Sequence, residues 1–256
     1  MIIFDIDGVV RDVGGSYRRA LADTVEEFTL GAYRPTELEI DQLKSEGIWN
    51  NDWEGSQEFV YRYFETQGKT RAEIALDYDT LVAFFQSRYR GTDQENWNGY
   101  ICTEPLLLEP AYLESLTAAG IAWGFFSGAT RGSASYILEK RLGLEMPVLV
   151  AMEDAPGKPD PTGLLATVAQ LEGDPEVNGA PVIYVGDTVA DMYTVEKAKA
   201  IAPQRNWVGV GVLPPHVQQT PERREAYEQL LKDAGAVVVY GNVQQLTVEE
   251  IKKLVS

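Results

Sequence analysis

Residues 1–10 read MIIFDIDGVV. The apolar run Ile2, Ile3, Phe4 stops at two carboxylates, Asp5 and Asp7, and then at Gly8. A short β-branched and aromatic run bounded by glycine reads as a buried strand. Alternation along such a strand places Asp5 and Asp7 on one side. Two like charges that close repel, and burying them without partners costs several kcal/mol. A hard divalent cation is the simplest neutraliser. The C-terminal end of a strand is also where open α/β sheets build their sites.

At 256 residues the chain accommodates one large domain or a core with a smaller insert. No apolar run is long enough to span a bilayer. The N-terminus lacks the basic region of a secretory leader and already carries the Asp pair, so a cytoplasmic protein is expected. Cys102 is the sole cysteine, which excludes an internal disulfide and fits a reducing compartment. Acidic residues number 39 against 22 basic ones, a formal net charge of −17. That balance argues against a nucleic acid or an anionic membrane as partner. It leaves room for a small phosphorylated metabolite, bound by local cations, to a monomer or a homodimer. The lone histidine, His216, lies in LPPHVQQTP (213–221) and reads as a loop residue, which speaks against Ser-His or Cys-His catalysis.

The chain changes texture along its length. Residues 16–91 read as wholly helical. Ser16 is a candidate cap for a helix over 17–30, and Thr36 with Glu39 forms a capping-box pattern for a helix that stops at Gly47. Ser56 is a candidate cap for a helix ending near Gly68, Thr70 with Glu73 opens another pattern, and a last helix runs over 79–90 to Gly91. Phe59, Tyr61, Tyr63, Phe64, Phe84, Phe85 and Tyr89 recur at spacings that suit a bundle core. From Pro105 onward, helices and strands alternate. Strands are expected at 121–126, 147–151, 182–185, 207–212 and 236–240, and helices at 110–119, 132–141, 161–170, 190–200, 221–232 and 248–255. Repeated β-α units with apolar strands imply a Rossmann-like, doubly wound parallel sheet with helices on both faces. The expected architecture is an α/β core, residues 1–14 and 99–256, interrupted by an all-helical cap over 15–98. The stretch 213–234 reads equally as decoration or as an oligomer contact.

The ends of the expected strands carry the chemistry. The first ends at Asp5-Ile6-Asp7, the second at Ser127-Gly128, and Gly157-Lys158-Pro159 follows the third. The fourth ends at Gly186-Asp187, with Asp191 four residues on. In a parallel sheet these ends share one edge. Four acidic groups, a hydroxyl with a glycine amide, and one lysine therefore converge. Mg²⁺ binds through carboxylates, waters and a substrate phosphate oxygen, and Asp5 and Asp187 are its natural ligands. Ser127 and the Gly128 amide suit a phosphate oxygen, and Lys158 supplies positive charge there. With that charge held, one carboxylate can act as nucleophile and a second, two residues on, as acid and base.

DIDGV (5–9), FFSG (125–128), GKPDP (157–161) and YVGDTVAD (184–191) together resemble the four ordered motifs of the haloacid dehalogenase superfamily. The helical insert between the first two resembles the cap of its phosphoglycolate phosphatase-like and β-phosphoglucomutase-like branch. The resemblance covers the whole core and is specific as a set, although DxD or GKP alone would be weak. It implies Asp5 as a nucleophile that forms an aspartyl-phosphate, and Asp7 as general acid/base with its backbone carbonyl on Mg²⁺. It further implies Ser127 on the phosphoryl group, Lys158 stabilising the transition state, and Asp187 with Asp191 completing the metal site. Family dehalogenases lack an acid at the position of Asp7 and need no metal, so Asp7 favours phosphoryl transfer.

Several readings stay open on the sequence. Asp191 is a metal ligand, a partner of the lysine or a helix cap. Trp49 and Asn51, in the stretch 47–55, read a substrate or anchor the bundle. Arg11, Arg18, Arg19 and Arg131 each add positive charge near a substrate or simply face solvent; Arg131 is the one placed with the phosphate-binding groups, and Arg19 the one read as surface. The expected activity is Mg²⁺-dependent hydrolysis of a small phosphomonoester. A sugar-phosphate mutase, a phosphoaccepting signalling module and a non-catalytic protein of the same fold are the rivals.

Overall fold

The computed structural model describes residues 1–46, 48–49, 51–173 and 179–256. Strand β1 (Ile2–Phe4) is followed by four helices, α1 (Tyr17–Phe28), α2 (Glu37–Ser45), α3 (Asp52–Thr66) and α4 (Tyr78–Tyr89). The chain then alternates: α5 (Pro110–Ala118), β2 (Trp123–Phe126), α6 (Arg131–Ser135), β3 (Leu149–Val150), α7 (Thr162–Glu172) and β4 (Val182–Gly186). It ends with α8 (Val189–Ile201), β5 (Trp207–Val212), α9 (Pro221–Asp233), β6 (Val238–Tyr240) and α10 (Val248–Leu254). The chain divides into two compact units, residues 1–12 with 105–256, and residues 13–104. These crossings fall at 12/13 and 104/105, against the expected 14/15 and 98/99.

In the first unit all six strands pair in parallel, in the order β3-β2-β1-β4-β5-β6. The inner strands are apolar on both faces because helices cover both, and Ile2, Ile3, Phe4, Val182, Ile183, Tyr184 and Val185 have no solvent exposure. Phe4 pairs in register with Phe125 of β2 and with Val185 of β4, so the carboxyl ends of these three strands lie together. Chain order reverses about β1, and that reversal opens the crevice in which doubly wound sheets carry their sites. The edge strand β3 has two residues against the expected five: Pro147 has no donor for a ladder, and the Ala151 amide is taken by Asp154 Oδ2 at 2.7 Å. The expected helix 132–141 begins at Arg131 as α6 and widens into π-type turns over Tyr136–Arg141.

The second unit is helical. Thr36 and Glu39 cap α2 reciprocally as expected. Ser16 precedes α1 but does not cap it: its hydroxyl donates to the Glu104 carboxylate and to the Val13 carbonyl. Ser56 lies inside α3, bonded to the Asp52 carbonyl, and Asn51 is the cap instead. Thr70 and Glu73 cap only one 3-10 turn, Arg71–Glu73. Tyr17 stacks on Tyr89 with centroids 4.1 Å apart, and Tyr33 on Tyr63 at 5.7 Å. Of the expected core aromatics, Phe59, Phe85 and Tyr89 are buried; Tyr61, Tyr63, Phe64 and Phe84 are half-buried.

Candidate active site

Asp5 follows the last residue of β1, and its amide donates to the Val185 carbonyl at 2.8 Å. Asp7 owes its place to a tight turn rather than to strand alternation, because β1 ends at Phe4. The Ile6 carbonyl accepts from the amides of Val10 at 2.8 Å and Arg11 at 3.1 Å, which folds residues 6–11 back on themselves. Gly8, at φ +73°, sits at the bend. A Cβ there would lie 2.1 Å from Asp187 Oδ2, so only glycine lets the Asp187 carboxylate approach.

Lys158 Nζ bridges Asp5 Oδ1 at 2.8 Å and Asp191 Oδ1 at 2.7 Å, and lies 5.3 and 5.5 Å from the ring centroids of Phe126 and Tyr184. Asp5 Oδ1 also accepts from the Ile6 amide at 2.7 Å. Asp191 is fully buried and fully engaged. Its Oδ2 accepts from the Thr188 amide and hydroxyl, at 2.9 and 2.7 Å, as the capping box of α8. Its Oδ1 accepts from the Tyr184 hydroxyl at 3.0 Å. Gly186 admits this arrangement, since a Cβ there would stand 2.3 Å from Asp191 Cβ. One oxygen each of Asp5, Asp187 and Asp191 lies within 4.8 Å of the others.

Three buried carboxylates thus face one ammonium. Burial, with Asp191 and Asp7 adding repulsion, pushes the Asp5 carboxyl up to about 7 against the pull of Lys158. Burial and the neighbouring Asp191 and Asp5 carry Asp187 well above the carboxylate range. Burial also opposes the charge on Asp191, but Lys158 and the Thr188 donors outweigh it and hold that carboxyl low. Lys158 is raised above its ordinary range because Asp191 and Asp5 outweigh its own desolvation. The site has an excess of acid that Lys158 alone does not neutralise. An all-oxygen donor set with that excess suits a hard divalent cation.

Ser127 follows β2, buried, with its amide on the Val150 carbonyl at 3.0 Å and its hydroxyl accepting from the Ala129 amide at 3.1 Å. Gly128 beside it is exposed, with open space where a side chain would stand. Other expected residues are employed elsewhere. The Arg131 guanidinium is spent on Asp154 and on the Leu149 carbonyl, pinning the turn after β3. Asn51 and Trp49 belong to the second unit: Asn51 Oδ1 caps α3 at the Trp53 amide, 2.9 Å, and Trp49 Nε1 donates to Glu46 at 2.8 Å. Gly47 and Asn50 lie outside the described residues.

Two supporting groups, Tyr184 and Tyr227, were not expected, and Arg11, read on the sequence as charge near a substrate or as a solvent-facing residue, takes a third place. Arg11 is wholly buried against Asp7. Tyr184 holds Asp191 from β4. The Tyr227 hydroxyl of α9 donates to the Asp187 carbonyl at 3.0 Å, which gives the stretch 213–234 a part in the site. The cap beside them was legible, as one of the readings of Asp191: TVAD (188–191) is itself a capping-box pattern.

The sheet order, the strand-end acids and the bridging lysine define an α/β site built for anionic chemistry. The chain belongs to the haloacid dehalogenase-like hydrolases, whose family model matches residues 1–199. It is 31% identical over 249 residues to a protein of Phytophthora nicotianae named imidazoleglycerol-phosphate dehydratase, covering 93% of this chain and 49% of that one. The chain therefore spans about half the length of the curated relative it matches. Among solved structures it resembles a phosphonoacetaldehyde hydrolase like protein from Oleispira antarctica, with TM-score 0.66 and 20% identity over 99% of this chain and 91% of that one. It also resembles a phosphatase from Thermococcus thioreducens, with TM-score 0.61 and 22% identity over 82% and 92%. CbbY from Rhodobacter sphaeroides, solved with phosphate, gives TM-score 0.63 and 14% identity over 98% of each chain. At these identities the solved structures share the fold. Among the described residues no helix is long and apolar enough to cross a membrane.

Proposed function

We propose that the protein is a Mg²⁺-dependent phosphatase that hydrolyses a small phosphorylated metabolite through an aspartyl-phosphate on Asp5. The observation that carries this reading is the Lys158 bridge between Asp5 and Asp191 inside a buried cluster with an excess of carboxylate. An Asp5 oxygen attacks phosphorus as the bond to the leaving oxygen breaks, and Asp7 gives that oxygen its proton. Asp7 then takes a proton from a water whose oxygen attacks the phosphorus of the aspartyl-phosphate. The bond to Asp5 breaks, inorganic phosphate leaves, and the free carboxylate returns. The Ser127 hydroxyl and Gly128 amide hold phosphoryl oxygens, and Lys158 stabilises the charge on them. Asp191 with Tyr184 aims the lysine. The carboxylates of Asp5 and Asp187 and the backbone carbonyl of Asp7 would hold Mg²⁺, with Asp191 beside them; bound there, the ion supplies charge compensation for the phosphoryl group. The helical unit 13–104 would contribute substrate selection. A single cysteine fits a cytoplasmic enzyme.

The test is phosphate release from a panel of small phosphomonoesters, with Mg²⁺ and with EDTA. The panel includes phosphoglycolate, hexose phosphates and imidazoleglycerol phosphate, the last because the Phytophthora relative carries that name. Metal-dependent release from one compound far above the rest supports the reading and identifies the substrate. Isomer formation without release would make the protein a mutase, and no reaction from a folded, metal-loaded protein would overturn the reading.

A further inference from the structure

We propose that Arg11 is a positioning residue for Asp7, the carboxylate that handles protons; this rests on the hydrolytic reading above. Arg11 is the bulkiest of the side chains with no solvent exposure. A guanidinium carries five N–H donors, and burying one is costly unless it is paired. Both Nε and Nη2 of Arg11 lie 2.6 Å from Asp7 Oδ1. Asp7 itself keeps 29% of its side chain accessible. A wholly buried cation thus grips, at one oxygen, a carboxylate that still reaches the outside.

The backbone holds this grip from two directions. Within the turn, the Gly8 amide donates to the Arg11 carbonyl at 2.9 Å, and the Arg11 amide to the Ile6 carbonyl at 3.1 Å. On the other side, Arg11 bridges Leu106 in antiparallel fashion. The Leu107 amide donates to the Val10 carbonyl, and the Asp12 amide to the Pro105 carbonyl, each at 2.8 Å. Arg11 therefore has a clamped main chain and holds Asp7 by a hydrogen bond from Nε, with Nη2 at ion-pair distance from the same oxygen, while Asp7 has two torsions to fix. The arginine sets which way the Asp7 carboxyl is presented. A proton donor misplaced by about 1 Å costs on the order of 10²-fold in rate.

The test compares Arg11→Met and Arg11→Lys with the unaltered protein, with Mg²⁺, on phosphomonoesters running from p-nitrophenyl phosphate to alkyl phosphates. The quantity read is kcat/KM, which reports events up to formation of the aspartyl-phosphate and so isolates departure of the leaving oxygen. A p-nitrophenolate leaves without a proton, whereas an alkoxide needs one. Arg11→Met should lose about 10²-fold on alkyl phosphates and less than about threefold on p-nitrophenyl phosphate, with Arg11→Lys restoring part of the difference. A merely structural arginine would depress every ester alike, and a uniform loss, or no loss, in a folded variant overturns the proposal. Should the methionine variant fail to fold, the lysine variant alone carries the same comparison, its loss again growing with leaving-group basicity. An unaltered protein inert toward every ester would overturn the hydrolytic reading first, and this proposal with it.

Discussion

The two units bury carboxylates in opposite ways. In the helical unit, Glu58 is 5% exposed and holds Arg62 Nε at 2.7 Å and Arg71 Nη1 and Nη2 at 2.9 Å. Two arginines meet this one buried anion, their other partners Glu46 and Glu65 being exposed, and although burial works against the charge, they bring the Glu58 carboxyl below its ordinary value. In the α/β unit, three carboxylates meet one lysine, and Asp5 and Asp187 are driven upward. Burial of an acid is common to both clusters. The cation count separates a structural ion network from a site that stores unmet charge for a ligand.

The hardest blow to this contrast falls on Asp5. Asp5→Asn keeps the shape and the Ile6 contact but removes the nucleophile, and turnover should fall by about 10⁴-fold or more. The melting temperature should hold, because the variant also relieves repulsion among Asp5, Asp187 and Asp191. Phosphate release with Mg²⁺, beside a thermal melt, checks both. Substantial remaining activity would sink the mechanism.

A second effect is the sign of the pH dependence. The unfolded Asp5 carboxyl titrates near 3.8, the folded one near 7, and Asp187 shifts the same way. The folded chain therefore binds more protons in that interval. The stability these acids contribute is present below the unfolded value and lost as pH rises through the folded one. Asp191, held low, contributes stability above its ordinary value and loses it only on acidification. The metal-free protein should thus melt at progressively lower temperature between about pH 5 and pH 8. Excess Mg²⁺ should reverse the loss at the upper end. Asp187→Asn should flatten the slope and abolish the metal response. A flat profile in the unaltered, metal-free protein would erase the difference between the two clusters.

Much of the α/β unit was legible in the residues themselves. β5 falls at 207–212 as expected, and β4, α8 and α9 fall within a residue. Apolar runs and glycine stops dictate such elements directly. The four motif segments lie at strand ends because a parallel sheet brings those ends together. Arg11 was harder: in sequence it is one arginine among several, and only the fold-back of 6–11 sets it against Asp7. Arg131 was hard to place for the complementary reason, since its proximity to Ser127 in sequence says nothing of its partner Asp154, 23 residues on. In the helical unit, Ser56 resembled a cap, yet Asn51 took that place because α3 begins at Asp52, four residues earlier than Ser56. Helix starts are weakly specified where several capping residues stand close together.

The smallest expected effect is the sharpest on the comparison, because it concerns a buried acid with no part in the chemistry. In Glu58→Gln, an amide nitrogen replaces an oxygen, so in either orientation one donor faces an arginine donor. Both arginines reach solvent, at 41% and 49%, and each keeps another acid, Glu46 for Arg62 and Glu65 for Arg71. Screening and rehydration hold the cost to about 1 kcal/mol. For a chain of this length that is a fall of roughly 2–4 °C in melting temperature. Hydrolysis of p-nitrophenyl phosphate should stay within about twofold of the unaltered rate, as expected of a surface-linked ion network. The pH signature should also invert. Glu58, lowered in the folded chain, gives stability above its ordinary value of 4.5 and loses it as pH falls. The variant should therefore lose its deficit under acid, whereas Asp187→Asn shows its difference toward neutral and alkaline pH. Lost catalysis at full stability in Glu58→Gln would mean that charge balance does not separate the two kinds of buried acid.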